Sequence, residues 1–258
     1  MKRGTTALVT GASAGIGKAF AEQLGAAGVN LVLTARRKER LEEIAREIAK
    51  SAGVRVDVIA ADLAEPAAPE RIVRELGGRP IDVLINNAGY GIAERYVEAS
   101  WAKHAEFIQV MVTAMAHLTH LCLPGMIERR YGRIAQVASI AGLVPGAPTN
   151  TLYAASKAFL VRFAESLSGE LHGSGVHVTA VCPGFTRSEF HEAMGTHAAM
   201  NQVPEIAWQS AEEVAREGLA ALERGDAVYV TGRVNRWVAS AVRHLPQQLV
   251  RNVMRQAR

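Results

Sequence analysis

Tyr153 and Lys157 stand four residues apart in a run, 153–171, where Leu160, Phe163, Ala164 and Leu167 recur at helical spacing. Both side chains therefore leave one face of a helix and can act together. Just upstream, Arg133-Ile-Ala-Gln-Val-Ala138 is a short apolar run that reads as a buried strand, with Ser139 at its end. A phenol ordinarily titrates near about 10, too high for efficient acid–base work at neutrality, and a neighbouring ammonium favours the phenolate. The trio suits proton transfer to or from an oxygen held by Ser139. In this reading Tyr153 is the acid or base, and Lys157 lowers its pKa.

The elements that must position this trio follow from the start of the chain. Thr5–Thr10 is a β-rich run that enters Gly11-Ala12-Ser13-Ala14-Gly15-Ile16-Gly17, and 18–27 then reads as a helix. Glycines between a strand and a helix let the backbone approach a pyrophosphate, which the helix N-terminus attracts through its free N–H groups. The second strand, Asn30–Ala35, ends at Arg36 and Arg37 ahead of an amphipathic helix through Lys50. An acid at that strand end would accept a ribose 2′-hydroxyl, whereas Ala35 followed by Arg36 suits a 2′-phosphate, so NADP is favoured over NAD.

Further strands are expected at 55–60, leading to Asp62 and Leu63, and at 81–85, ending in Asn86-Asn87-Ala88-Gly89. A long helix is expected over 101–126. Strand 176–181 then runs into Cys182-Pro183-Gly184-Phe185-Thr186-Arg187-Ser188, and a helix over 210–224 precedes a last strand at 227–231. Strands alternating with helices throughout imply an α/β chain with one doubly wound parallel sheet.

The 258 residues are 49% hydrophobic and 21% charged, the make-up of a soluble globular chain. Cys122 and Cys182 both sit in apolar surroundings, so reduced, buried thiols and a cytoplasmic location are expected. The first residues run straight into a strand, and no signal peptide is read there. The apolar stretch 107–126 carries Gln109, His117 and His120 and reads as a buried or interface helix. Of the net charge of +4, the tail contributes most: beyond Asp226 there are six arginines and no acid.

Taken together, these motifs resemble the short-chain dehydrogenase/reductase superfamily, in its compact single-domain branch, over about residues 5–231. The resemblance implies a Rossmann-type fold of about seven parallel strands, with residues 1–232 the catalytic unit and 233–258 a basic, amphipathic helical extension of it. It also implies that Gly11, Ser13, Ala14, Ile16 and Gly17 cradle the pyrophosphate and adenosine ribose and that Asp62 and Leu63 meet adenine. Asn87, Ala88 and Gly89 would line the central cofactor channel, and Pro183, Gly184, Phe185 and Thr186 would hold the nicotinamide, with Ser188 where the family often has threonine. Ser139, Tyr153 and Lys157 match the catalytic trio, and Lys157 would also bind the nicotinamide ribose. One position departs. The family usually has an asparagine on the helix before the serine-bearing strand, where this chain has Met111, and a thioether cannot replace the amide's hydrogen bonds.

No metal site is expected. His191-Glu192 opens like a zinc-protease motif, but Gly195 stands where its second histidine belongs, and His117 and His120 lack a third ligand nearby. The stretch 189–209 corresponds to the family's substrate lid. Its Phe190, Met194, Met200 and Trp208 point to a small lipophilic carbonyl or alcohol substrate. The tail reads as two short basic helices whose favoured role is packing in a homodimer or homotetramer; membrane contact is not favoured, and no nucleic-acid-binding module is present. The expected activity is NADP(H)-dependent carbonyl–alcohol oxidoreduction. The alternative, prompted by Met111 and the basic tail, is a catalytically weak cofactor-binding protein with a regulatory or membrane-peripheral role.

Overall fold

A computed structural model of the chain describes residues 1–146, 148, 151–187 and 205–245, with the side chains of 243 and 244 left out. The first strand β1 (Thr6–Thr10) is followed by α1 (Gly15–Ala26), β2 (Asn30–Ala35), α2 (Lys38–Ala52), β3 (Val56–Ala60), α3 (Ala68–Glu75) and β4 (Val83–Asn86). Then come α4 (Trp101–Ile108), a π-helical turn (Gln109–Thr113), α5 (Ala114–Glu128), β5 (Gly132–Val137), α6 (Thr151–Glu170) and β6 (Val176–Cys182). The remaining described elements are β7 (Phe185–Arg187), β8 (Trp208–Ser210), α7 (Ala211–Arg224), β9 (Val228–Val230) and α8 (Arg233–His244). Ser188, most of the expected lid and the second tail helix lie outside the described residues.

Seven strands form one sheet in the order β3-β2-β1-β4-β5-β6-β9, every pair parallel. This is the doubly wound Rossmann-type sheet, and its order reverses between β1 and β4. Strand alternation builds the two sides. Ala7 and Val9 of β1, with Val83 and Ile85 of β4, pack under α1, α2 and α7, while Leu8 and Leu84 face α3, α5 and α6. Leu41, Ile44, Ala45 and Ile48 make the inward stripe of α2, at the spacing of one helical face. Burying a side chain such as Phe20 contributes about 1.5–3 kcal/mol.

Helix ends follow local chemistry. Gly53 and Gly225 take left-handed backbone just past α2 and α7, and Ser210 with Glu213 forms a capping box at the start of α7. The apolar run over Trp101–Glu128 is long and hydrophobic enough by composition to cross a bilayer. Here it lays Phe107, Met111, Met115, Leu118 and Met126 into the interior. The expected single long helix is thus interrupted by the π-helical turn at Gln109–Thr113, which carries Val110 and Met111 inward.

Candidate active site

The C-terminal ends of β1, β4, β5 and β6 open on one cavity of about 480 Å³. This is the crevice in which open parallel sheets bind ligands. Gly11, at φ +65°, turns the chain from β1 toward α1, and a methyl group there would meet the Ala88 Cα and the Asn87 amide nitrogen, each at 2.8 Å. At Gly17 an added Cβ would run into the Gly11 carbonyl and the Asn87 side chain. The tight fit is fastened by Thr10, whose hydroxyl accepts from the backbone N–H groups of Asn87 (2.9 Å) and Ala88 (3.0 Å). Asn87 Nδ2 in turn donates to the Thr10 carbonyl at 3.0 Å.

Helix α1 begins without any side-chain cap and with no acid in its first turn. Its first N–H groups are therefore available to an anion, and the helix dipole favours one there. Ser13, Ala14, Gly15 and Ile16 line the cavity at that point. So do Arg36 and Arg37 from the end of β2, and Asp62 and Leu63 from the end of β3. Arg37 donates to Ser13 Oγ from Nη2 at 3.0 Å, tying the glycine turn to the β2–α2 turn.

At the other end of the cavity, Ser139 follows β5 and caps a short 3₁₀ turn, accepting from the Ala141 N–H at 3.1 Å. That turn packs directly on the α6 backbone, because Gly142 lies where a Cβ would meet the Lys157 carbonyl carbon at 2.6 Å. Ser139 and Tyr153 line the cavity together. Lys157 is 6% exposed, and its ammonium donates to the Val137 carbonyl at 2.8 Å and lies 5.6 Å from the Tyr153 ring centre. The cavity joins all three side chains with Asn87, Ala88, Gly89, Pro183, Gly184 and Thr186.

The electrostatics differ from the sequence expectation. Burial raises the Tyr153 pKa above the ordinary phenol value, and the polar Ser139 side chain nearby only partly offsets this. Burial also lowers Lys157 to about 8, with Cys182 opposing the shift. Loss of water thus outweighs the expected lowering of the phenol by the ammonium. Cys182, beside Lys157 at the end of β6, is itself pushed up to about 12 by burial.

Two expected site residues fall away from the cavity wall. Gly17 lies beneath the glycine turn and acts through the space it leaves. Phe185 alternates with Thr186 along β7, so Thr186 faces the cavity while the Phe185 ring packs against Trp208 with centroids 5.7 Å apart. Sequence reasoning missed Thr10, Arg37, Tyr90 and Glu106. Tyr90, pushed up to about 12 by burial and by the Glu106 carboxylate, borders the cavity beside Arg36 and Asp62. Its place directly after Asn86-Asn87-Ala88-Gly89 was the available signal. Met111 packs its sulfur against Gly89, in a cluster with Ile92 and Phe107 that touches Tyr153. Among the described residues no cluster of His, Cys, Asp and Glu has the grouping of a metal site.

A strand order that reverses over an uncapped, glycine-lined helix start, facing a buried Ser–Tyr–Lys cluster, defines a Rossmann-type α/β protein. The chain belongs to the short-chain dehydrogenase family, an oxidoreductase family, whose model, described as short chain dehydrogenase, matches residues 5–199. Among curated proteins it is 34% identical over 233 residues to a 17-beta-hydroxysteroid dehydrogenase type 3 of Danio rerio, covering 88% of this chain and 72% of that one. It is 39% identical over 185 residues to a very-long-chain 3-oxoacyl-CoA reductase of Anas platyrhynchos, covering 70% of this chain and 59% of that one. A solved short-chain dehydrogenase from Sphingobium yanoikuyae in complex with NADPH superimposes with a TM-score of 0.82 at 31% identity, covering 98% of this chain and 97% of that one.

Proposed function

We propose that this protein is an NADP(H)-dependent oxidoreductase that interconverts a carbonyl and a secondary alcohol on a small, lipophilic substrate. The observation that carries the reading is the convergence of Ser139, Tyr153 and the buried Lys157 ammonium in the same cavity as the uncapped start of α1. The glycine turn, with no room for a methyl group at Gly11 or Gly17, fits a pyrophosphate. Arg36 and Arg37 fit a 2′-phosphate, where Ala35 offers no carboxylate to a free ribose. The NADPH complex of the Sphingobium relative supports the same choice.

Held by the glycine turn, Arg36 and Lys157, NADPH would supply a hydride to the carbonyl carbon. Ser139 holds the substrate oxygen, and Tyr153 gives it the proton that completes the alcohol. Lys157, cationic beside the ring, stabilises the phenolate left behind and holds the nicotinamide ribose. With its pKa raised by burial, Tyr153 carries its proton at neutral pH, the state a proton donor to the carbonyl oxygen needs. Relatives named for a steroid and a very-long-chain acyl thioester support a lipophilic substrate. A cytoplasmic setting is supported by two free, buried thiols. Self-association is supported by the exposed Trp101 and Phe159 on α4 and α6. Following NADPH and NADH oxidation against a panel of ketones, aldehydes and acyl thioesters tests the proposal. Turnover with NADPH on lipophilic ketones is expected, and no turnover on any carbonyl, or equal use of NADH, would count against it.

A further inference from the structure

Helix α8 is built the wrong way round for a helix that only closes a soluble domain. Its inner face is polar and engaged. Asn235 is buried, hydrogen-bonds Gln209, and fills the space beside Gly184, which lines the cofactor cavity. Arg236 donates to Glu217 at 2.9 Å and to the Tyr229 hydroxyl at 3.0 Å. Its outer face is apolar instead. Trp237 is 79% exposed, Val238 46% and Leu245 49%, and Ala241 between them is exposed as well. Positions 237, 238, 241 and 245 lie on one side of a helix. The Glu205–Ala207 turn, against which α8 packs, adds Ile206 at 76% exposure.

Charge indicates what such a face meets. Beyond Asp226 the chain carries six arginines and no acid, and of these Arg236 is bound to Glu217, while Glu205 beside Ile206 is paired with Arg187. A second copy docking this face on itself would bring two acid-free, arginine-rich segments together. An anionic lipid surface would neutralise them, accept the apolar face and suit a tryptophan at the boundary between headgroups and acyl chains.

We propose that α8 is a membrane-surface docking helix that seats Trp237, Val238 and Ile206, with Leu245 just past its end, in an anionic lipid headgroup layer, with the exposed Arg233 against the lipid phosphates. Since the opposite face of the same helix builds the Gly184 side of the cofactor cavity, docking sets that side of the site next to the bilayer. The inference does not rest on the reaction proposed above.

Co-sedimentation of the full chain with phosphatidylcholine vesicles, with and without phosphatidylglycerol, tests it. Binding to the anionic vesicles is expected. It should fall by at least about tenfold in the Trp237→Ser/Val238→Ser/Leu245→Ser variant, and again when salt screens the arginines. A melting curve and NADPH oxidation like those of the wild type would confirm that the variant is folded, since none of the three side chains touches the cavity. The proposal is overturned if anionic vesicles bind no protein, if neutral vesicles bind equally well, or if the folded variant binds like the wild type. It is also overturned if sedimentation without lipid shows a dimer that the triple variant loses, since the face would then belong to a second copy.

Discussion

At the glycine end of the cavity the decisive feature is the close approach that missing side chains allow, whereas at the Tyr153 end it is side chains taken out of water. Gly11 and Gly17 work through the atoms they lack, and the surrounding geometry leaves no room for others. Tyr153 and Lys157 work through groups that burial has moved away from their solution behaviour, the phenol upward and the ammonium downward. The first kind of site depends on close backbone approach; the second is costly to fold, because burial disfavours the charged form of each group.

Substitutions can break this contrast. The largest effect is expected at Gly17. Alanine there drives a methyl group into the Gly11 carbonyl and the Asn87 side chain, and overpacking of this kind costs about 1–3 kcal/mol while pushing the turn into the phosphate path. NADPH affinity, followed by fluorescence titration, should drop by at least about a hundredfold. Retained affinity would mean that the turn is more pliable than its contacts indicate.

Lys157→Met probes the other end, with opposite sign. A lysine whose pKa falls from 10.5 to about 8 on folding costs up to about 3 kcal/mol below pH 8. The unfolded chain holds the proton more tightly, so the penalty is complete below the folded pKa and fades as pH climbs toward 10.5. Denaturant titration should therefore find Lys157→Met more stable than the wild type at pH 7, less whatever the lost hydrogen bond to Val137 contributes. That advantage should shrink between pH 8 and 10.5. A less stable variant at pH 7 would show that the ammonium is well paired and that burial is not the dominant influence on it.

The smallest effect is expected at Arg36. It is exposed, so its hold on a 2′-phosphate is partly screened, and Arg36→Ala should weaken NADPH binding by only about tenfold while leaving NADH unchanged. Arg37, anchored on Ser13, should retain part of the preference. Unaltered NADPH affinity would move the phosphate contact to Arg37 alone.

The same contrast explains what could be read from the sequence. Glycine spacing, the apolar run of β2 and the four-residue step from Tyr153 to Lys157 are local features, and β2 lies where its residues placed it, at Asn30–Ala35. The direction of the Tyr153 shift was misread because it depends on how much water the fold removes, and no spacing of residues encodes that. Helix α3, too short to show a clear period, was not anticipated, nor was the parallel pairing of Phe185–Arg187 with Trp208–Ser210. The π-helical turn that carries Met111 was equally hidden. Its sulfur fits against Gly89, a contact made only when β4 and α5 come together. The outward apolar face of α8 could be seen in the sequence as an amphipathic helix, but not which side of it faced inward.

The central claim is that one cavity both holds the dinucleotide and transfers the proton through Tyr153. It is tested most directly by Tyr153→Phe, measured for NADPH affinity and for turnover on one substrate that the wild type accepts. The phenyl ring keeps the packing against Ile92, Phe107 and Met111 and removes only the hydroxyl. Turnover should fall by about 10²- to 10⁴-fold, with NADPH affinity kept within about twofold, because the hydroxyl acts chiefly in the transition state. Wild-type turnover in the folded variant would contradict the claim.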